Sequence, residues 1–380
     1  MVLQVLPALG SGGAERGCVD VAAALVKAGG TALVASAGGP LERELTRAGA
    51  LHIALPLDSK NPFVLRANAG RLAELIEAHR VDVVHARSRA PAWSAYAAAR
   101  RTRRAFLTTY HGTYNERTYV KHLYNAVMAK GDLVIAISQH IADLVPRRYR
   151  IDPSRVRLIP RGIDFEVFDP ARVNASRLVQ LAQAWRLPDG MPVVMLPARL
   201  ARWKGQLVLV EALARLGRKD IRCLLVGADQ GRRGYRRAIE ARIAALGMEA
   251  VVHLVEHCND MPAAYMLSDV VVSASTDPEA FGRVMVEAQA MGRPVIATDH
   301  GGARETLLEG PTGRLVPPGD AGALAAALAA TLALDGRVRE QLAPLAITHV
   351  RANFSKEAMC AKTLAVYGEL YARQAGHVAA

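Results

Sequence analysis

Two glutamates stand eight positions apart in PEAFGRVMVE (278–287), at the mouth of an apolar stretch. A bland reading makes Glu279 a helix N-cap and leaves Glu287 on a solvated face. The neighbouring residues argue for chemistry instead. DVVVSAS (269–275) reads as a strand and TDPEAFG (276–282) as the loop after it, so a helix begins near Phe281 or Gly282. Glu279 then sits in the loop, and Glu287 lies more than a turn into the helix. Eight residues is not a whole number of turns, so the two acids need not share a partner. The N–H groups of Gly282, Arg283 and Val284 project from that helix start and suit a phosphate. Beside it, the two carboxylates would accept hydrogen bonds from sugar hydroxyls.

Other strand ends carry matching groups. PARLARWKG (197–205) follows the first strand of the second half and offers Arg199 as a planar fork and Lys204 as a point charge, a pair suited to a diphosphate. Arg202 nearby reads as ordinary surface charge. LPALGSGGAERG (6–17) follows the first strand of the chain and opens a helix. Gly10, Gly12 and Gly13 let a ligand approach the backbone there, although a tight turn needs glycine for steric reasons too. The run is not G-x-G-x-x-G, and Ala32–Ser36 lacks the acid that a dinucleotide fold places about 20 positions on, so a dehydrogenase is excluded. His111 ends the strand AFLTTY; alone it would pass for an ordinary strand-end histidine.

The elements that must position these groups alternate. Apolar runs at LQVLPA, TALVAS, LHIALP, VDVVHA, AFLTTY, LVIAIS and VRLIPRG alternate with amphipathic stretches such as Glu15–Lys27, Ala67–Ala78 and Ala90–Arg101. The pattern pauses at IDFEVFDPARV and restarts with PVVMLPARL, IRCLLVGAD, VVHLVE, DVVVSAS, PVIATD and GRLVPP. Such alternation means parallel sheets covered on both faces. The expected fold class is α/β, with two doubly wound, Rossmann-like domains in series and ligand at the carboxyl ends of the strands. At 380 residues the chain suits two domains. Cys18, Cys223, Cys258 and Cys360 form no metal pattern and read as reduced core thiols. GALAAALAATLAL (322–334) is too short to span a bilayer and reads as a buried helix. The first residues run straight into a strand, with no signal peptide ahead of it.

Charge is uneven. Residues 1–165 hold 23 Lys and Arg against 13 Asp and Glu, an excess of ten, while the remainder has an excess of three. A basic half suggests an anionic partner: a phosphate ligand, an acidic membrane surface or nucleic acid. Nucleic acid is disfavoured, because aromatic residues are only 5% of the chain and form no stacking platform. In ARRTRRAF (99–106) and YVKHLYNAVMAK (119–130), cations lie beside apolar side chains, as an interfacial surface requires.

Taken together, GGAERG (12–17), HG (111–112), VIAIS (134–138), IPRGID (159–164), RLARWKG (199–205) and PEAFGRVMVEAQAMGRPVIATDHGGARE (278–305) resemble the retaining glycosyltransferases of family 4, including those of bacterial lipopolysaccharide and cell-envelope synthesis. The resemblance covers nearly the whole chain. It implies a GT-B fold: an acceptor-binding domain over 1–168, a nucleotide-sugar-binding domain over 169–354, a central cleft, and a C-terminal helix over 355–380 crossing back to the first domain. By that resemblance Arg199 and Lys204 hold the donor diphosphate, Glu279 meets hydroxyls of the transferred sugar, Glu287 meets the ribose, and His111 faces the reacting sugar. Where the family often has Asn after IP, this chain has Arg161, a departure that offers another phosphate contact.

The implied reaction moves a hexose from a UDP-sugar or GDP-sugar, with no cofactor and no metal, to a glycan or lipid-linked acceptor. No D-x-D motif is present to bridge a metal to the diphosphate. The enzyme would be cytoplasmic, peripheral at the inner face of the cell membrane, and bound to an anionic surface. A sugar-nucleotide epimerase of the same two-domain fold is the alternative, and it would work without an acceptor.

Overall fold

The computed structural model describes residues 1–10, 12–114, 116 and 118–378, the last three by their backbone alone; Ser11 of the glycine-rich turn lies outside them. The chain divides into two compact units, Met1–Gly162 with Lys356–Ala380, and Ile163–Ser355.

The first unit runs β1 (Val2–Val5), α1 (Gly13–Lys27), β2 (Ala32–Ser36), α2 (Glu42–Arg47), β3 (Leu51–Ala54), α3 (Pro62–Ala78), β4 (Val83–Ala86), α4 (Arg89–Arg101), β5 (Ala105–Tyr110), α5 (Tyr119–Ala126), β6 (Leu133–Ala136), α6 (Gln139–Tyr149) and β7 (Val156–Leu158). The second runs α7 (Ala175–Ala184), β8 (Val193–Pro197), α8 (Gln206–Leu216), β9 (Arg222–Val226), α9 (Arg233–Ala245), β10 (Val252–Val255), α10 (Met261–Leu267), β11 (Val270–Ser273), α11 (Arg283–Ala290), β12 (Val295–Thr298), α12 (Ala303–Thr306), β13 (Gly313–Val316), α13 (Ala321–Leu332) and α14 (Gly336–Asn353). The chain then returns as α15 (Lys356–Val378) to the first unit.

All pairings are parallel, in the orders β3-β2-β1-β4-β5-β6-β7 and β10-β9-β8-β11-β12-β13. Parallel neighbours need a crossover, and the helices between strands supply it while covering both sheet faces. The central strands β1, β4, β5, β6, β8 and β12 are therefore buried along their whole length. Each sheet reverses its direction of growth once, at β1–β4 and at β8–β11. Those are the points where a crevice opens beyond the carboxyl ends of the strands.

Local chemistry fixes the helix starts. Ser138 accepts from Ile141 N–H at 3.2 Å, Asp260 from Ala263 N–H at 3.1 Å, and Asp320 from the N–H groups of Gly322 and Ala323 at 2.9 Å. Each cap contributes about 1 kcal/mol. α3 opens five residues before the sequence-expected Ala67, because Asn61 caps it and Pro62 is preset for a first turn. α13 also departs from expectation: it buries Ala321, Leu324, Ala325, Leu328 and Thr331 and leaves its other face in part to solvent. Its alanines are apolar all round, but only the stripe against α8 and strands β11, β12 and β13 is covered.

α15 seats Cys360, Val366, Tyr367 and Leu370 against Val2, Val21, Val83, Leu107, Leu133 and Ile135. The Tyr367 hydroxyl lies 2.7 Å from Nδ1 of the buried His85. Cys18, Cys223 and Cys360 are buried thiols, and burial pushes Cys18 up to about 11 and Cys360 to about 12. Cys258 is half-buried, so it is not a core thiol. Among the described residues no single helix is long and apolar enough to cross a membrane.

Candidate functional site

In the second unit the groups expected to do chemistry gather at the β8–β11 reversal. Arg199–Gly205 leave β8 and Ala274–Gly282 leave β11, on neighbouring strands. The Lys204 ammonium donates to Glu279 Oε1 in an ion pair, and Ser275 Oγ donates to the same oxygen at 2.6 Å. The Thr276 N–H donates to Trp203 O at 2.7 Å, tying the two loops together. Gly205 makes this approach possible. Its φ is +70°, and a Cβ there would sit 1.8 Å from the Ala274 carbonyl oxygen. The Trp203 ring lies 4.2 Å from Lys204 Nζ and 5.8 Å from Arg199 Cζ, so the indole is within cation–π reach of both. Arg202 turns away from them, over the Tyr235 ring at 5.4 Å.

The Glu279 loop is held from its other side as well. The Gly302 N–H donates to Glu279 O at 2.8 Å, next to a backbone bridge between Glu279 and Gly301. Glu279 is therefore a loop residue fixed at backbone and carboxylate, and not the cap of α11. That cap is Gly282, in left-handed backbone at φ +92°. Phe281 turns its ring inward against Phe354 at 5.5 Å, so its side chain belongs to the core. Arg283 and Val284 open the first turn behind that cap, at the positive end of the helix dipole.

Glu287 is only 8% exposed, which removes the solvated-face reading. Its Oε1 accepts from Arg283 Nη2 at 2.6 Å and Nε at 3.0 Å, and its Oε2 from the Tyr265 hydroxyl at 2.8 Å. A carboxylate has about four acceptor positions, so one remains for an incoming hydroxyl. Burial first, then the neighbouring Glu287 charge, raises the Tyr265 hydroxyl well above its ordinary range. It stays protonated and donates.

In the first unit the expected residues also stand at strand ends: Gly12 and Gly13 after β1, His111 after β5 and Arg161 after β7. Gly12 caps α1, and the Glu15 carboxylate folds back against it, adding negative charge where the helix start is positive. Arg161 Nη2 lies 2.8 Å from His111 Nδ1. Arg87, which sequence reasoning did not single out, follows β4 and is 5% exposed; its Nε donates to Gln4 Oε1 at 2.6 Å. Burial, then the charges of Arg161 and Arg87 and the His85 ring, pull His111 well below the usual imidazole range. Among the described residues no group of three or more His, Cys, Asp or Glu could hold a metal ion.

Residues 11–167 match the model of Glycosyltransferase Family 4, and residues 180–347 that of Glycosyl transferases group 1. A glycosyltransferase from Rickettsia africae, known as a crystal structure, is 40% identical with a TM-score of 0.88, covering 97% of this chain and 98% of its own. The chain belongs to glycosyltransferase family 4. Its two parallel sheets are the Rossmann-like halves of the GT-B fold. HepE of Anabaena, a structure solved with UDP and glucose, is 26% identical with a TM-score of 0.83, covering 97% of this chain and 99% of its own. The D-inositol 3-phosphate glycosyltransferase of Xylanimonas cellulosilytica is 33% identical over 251 residues, which are 65% of this chain and 59% of that relative. The chain thus spans less than two thirds of the length of curated relatives such as this one.

Sequence motifs singled out Lys204, Glu279 and Glu287 but not the side chains that hold them. Trp203 and Ser275 lie inside or next to the quoted motifs, and their roles follow only once β8 and β11 are known to be neighbours. Tyr265, on the short helix α10, had no spacing signal at all.

Proposed function

We propose that this family 4 enzyme transfers a hexose from a nucleoside diphosphate sugar to an acceptor hydroxyl, with retention of anomeric configuration. The observation that carries the reading is the pairing of Lys204 with Glu279 across the β8–β11 reversal, beside the first turn of α11. An ammonium has three N–H groups, so Lys204 can bind Glu279 and still give two to a diphosphate. As the bond from the anomeric carbon to phosphate oxygen breaks, negative charge grows on the diphosphate, and Lys204, Arg199 and the α11 N–H groups are already aimed at it. Glu279 orients sugar hydroxyls and Glu287 the ribose. The acceptor oxygen bonds to the anomeric carbon on the same face, and its proton passes to the departing phosphate oxygen. On this reading the second unit binds the donor and the first the acceptor. UDP is the favoured nucleotide, since the 26%-identical HepE is known with UDP-glucose.

Thermal melting with UDP, GDP and ADP tests the donor. One of the three should raise the melting temperature, with about 2.7 kcal/mol of added stability at a hundred times its dissociation constant. No shift with any of them would end the nucleotide-sugar reading. Release of nucleotide that depends on added acceptor separates transfer from epimerisation.

The acceptor we place on a lipid carrier at the inner face of the cell membrane, in lipopolysaccharide or other envelope glycan synthesis. Support comes from the basic first half and from α5, where Tyr119 and Val120 are each 75% exposed beside Lys121. Arg100, Arg101 and Arg103 are exposed as well. Arg100, Arg101 and Arg103 lie at the end of the sheet where β5 begins, and Tyr119 and Val120 follow the end where β5 finishes. Flotation with anionic vesicles is expected to recover the protein, less so in high salt, and less with Arg100, Arg101, Arg103 and Arg104 changed to Ser, at roughly 1 kcal/mol per cation. Equal recovery on neutral and anionic vesicles, or none on either, would remove the membrane. A phosphorylated small acceptor is then the second reading. It is favoured by a bowl of about 700 Å³ in the first unit, lined by Lys130, Arg148, Arg150 and Arg155 between Tyr96 and Tyr149.

A further inference from the structure

His111 and Arg161 meet at the carboxyl ends of β5 and β7, and the chemistry of the pair leaves each a single role. A guanidinium carries N–H groups only and stays protonated in proteins. With Nη2 2.8 Å from Nδ1, Arg161 must donate and His111 must present the Nδ1 lone pair. An imidazole whose Nδ1 accepts is neutral and carries its proton on Nε2. That Nε2 is out of solvent and has no hydrogen-bond partner among the described residues. A buried N–H without an acceptor is destabilising, so the protein holds a donor ready that it does not itself use.

We propose that Arg161 is a positioning residue that locks His111 as the neutral Nε2–H tautomer, making the imidazole a fixed hydrogen-bond donor to a substrate oxygen and barring it from service as a base through Nε2. An Asn at position 161 would not do this. A carboxamide both donates and accepts, so it satisfies either tautomer of its neighbour. Arg161 removes that freedom.

The surroundings favour the neutral form. Among the described residues the charged or titratable side chains acting on the ring are Arg161, Arg87 and His85, and the Tyr114 hydroxyl bonds to the His111 backbone. No carboxylate is among them. Burial and two permanent positive charges oppose protonation together, and both forces push the imidazole pKa downward. The inference rests on the proposed glycosyl transfer only for the identity of the oxygen that Nε2–H meets. The tautomer itself is a property of the ligand-free protein.

Long-range ¹H–¹⁵N spectra of ¹⁵N-histidine-labelled full-length enzyme test it, with the His111 signal assigned by its loss in His111→Gln. In the native protein the ring should remain neutral and Nε2-protonated from roughly pH 5.5 to 8, across the interval where a free imidazole titrates. In Arg161→Asn the pKa should rise by more than about one unit, both tautomers should appear, and kcat/KM should gain a pH dependence that the native enzyme lacks. Arg161→Lys keeps a cation that only donates, and should restore the single tautomer. An Nδ1–H ring or an imidazolium in the native protein within that range would overturn the proposal, and so would an unchanged spectrum in Arg161→Asn. Should Arg161→Asn fail to fold, the native spectrum alone decides. Should no nucleotide sugar prove to be the donor, the tautomer still does.

Discussion

Replacing Lys204 by alanine is expected to lower turnover by roughly 10²–10³-fold, about 3 kcal/mol of lost transition-state stabilisation, while the fold survives. The size follows from where the ammonium sits. It is held by Glu279 and by the Trp203 face before any substrate arrives, so no reorganisation is needed when charge develops on the diphosphate. Arg199→Ala should act in the same direction and more weakly, because Arg199 is exposed and farther from the indole. Since both charges belong to the protein, turnover should persist in EDTA. Near-native turnover in both variants would sink the diphosphate assignment. A further check comes from Lys204→Ala combined with Glu279→Gln. The two side chains touch, so their effects should fall short of additivity, whereas independent roles would add.

The sequence carried the fold further than it carried the site. Every strand was legible, most plainly the central ones, because parallel strands buried on both faces appear as short continuous apolar runs, as β6, β8 and β12 do. Helix ends were less so. The start of α3 depends on a cap and a proline lying outside the amphipathic stretch that revealed the helix. For the site, types and strand-end positions could be read, but partners could not. Lys204 and Glu279 are 75 residues apart, and Arg161 and His111 are 50. Nothing in either local pattern says that β8 lies beside β11, or that the β7 end reaches the β5 end. Strand order decides both pairings, and strand order comes from the packing of whole units. Arg87 was invisible for a related reason: a lone arginine after a strand looks like surface charge until burial and its contact with Gln4 show otherwise.

Glu279→Gln and Glu287→Gln should separate catalysis from nucleotide binding. Glu279 accepts from Lys204 and Ser275 at the loop beside the proposed sugar position, and a carboxamide there keeps the shape and one acceptor oxygen. Lost are the negative charge and the fixed pairing with Lys204. We expect kcat to fall roughly a hundredfold, with affinity for free UDP changed less than about threefold. Glu287 lies deeper, locked between Arg283 and Tyr265, with one acceptor position left over. Glutamine there leaves the Arg283 guanidinium without its carboxylate, and with its oxygen kept on Arg283 its N–H₂ faces the Tyr265 hydroxyl, which must turn from donor to acceptor. Affinity for UDP should weaken by about tenfold, the worth of one charge-assisted hydrogen bond, while kcat at saturating donor stays within about threefold. Calorimetry with free UDP decides, alongside a melting curve that shows each variant folded. If Glu279→Gln abolishes UDP binding while Glu287→Gln leaves it intact, the two roles are exchanged. If both lose affinity equally, the carboxylates share one ligand group, and the loop and helix positions that keep them apart have been misread.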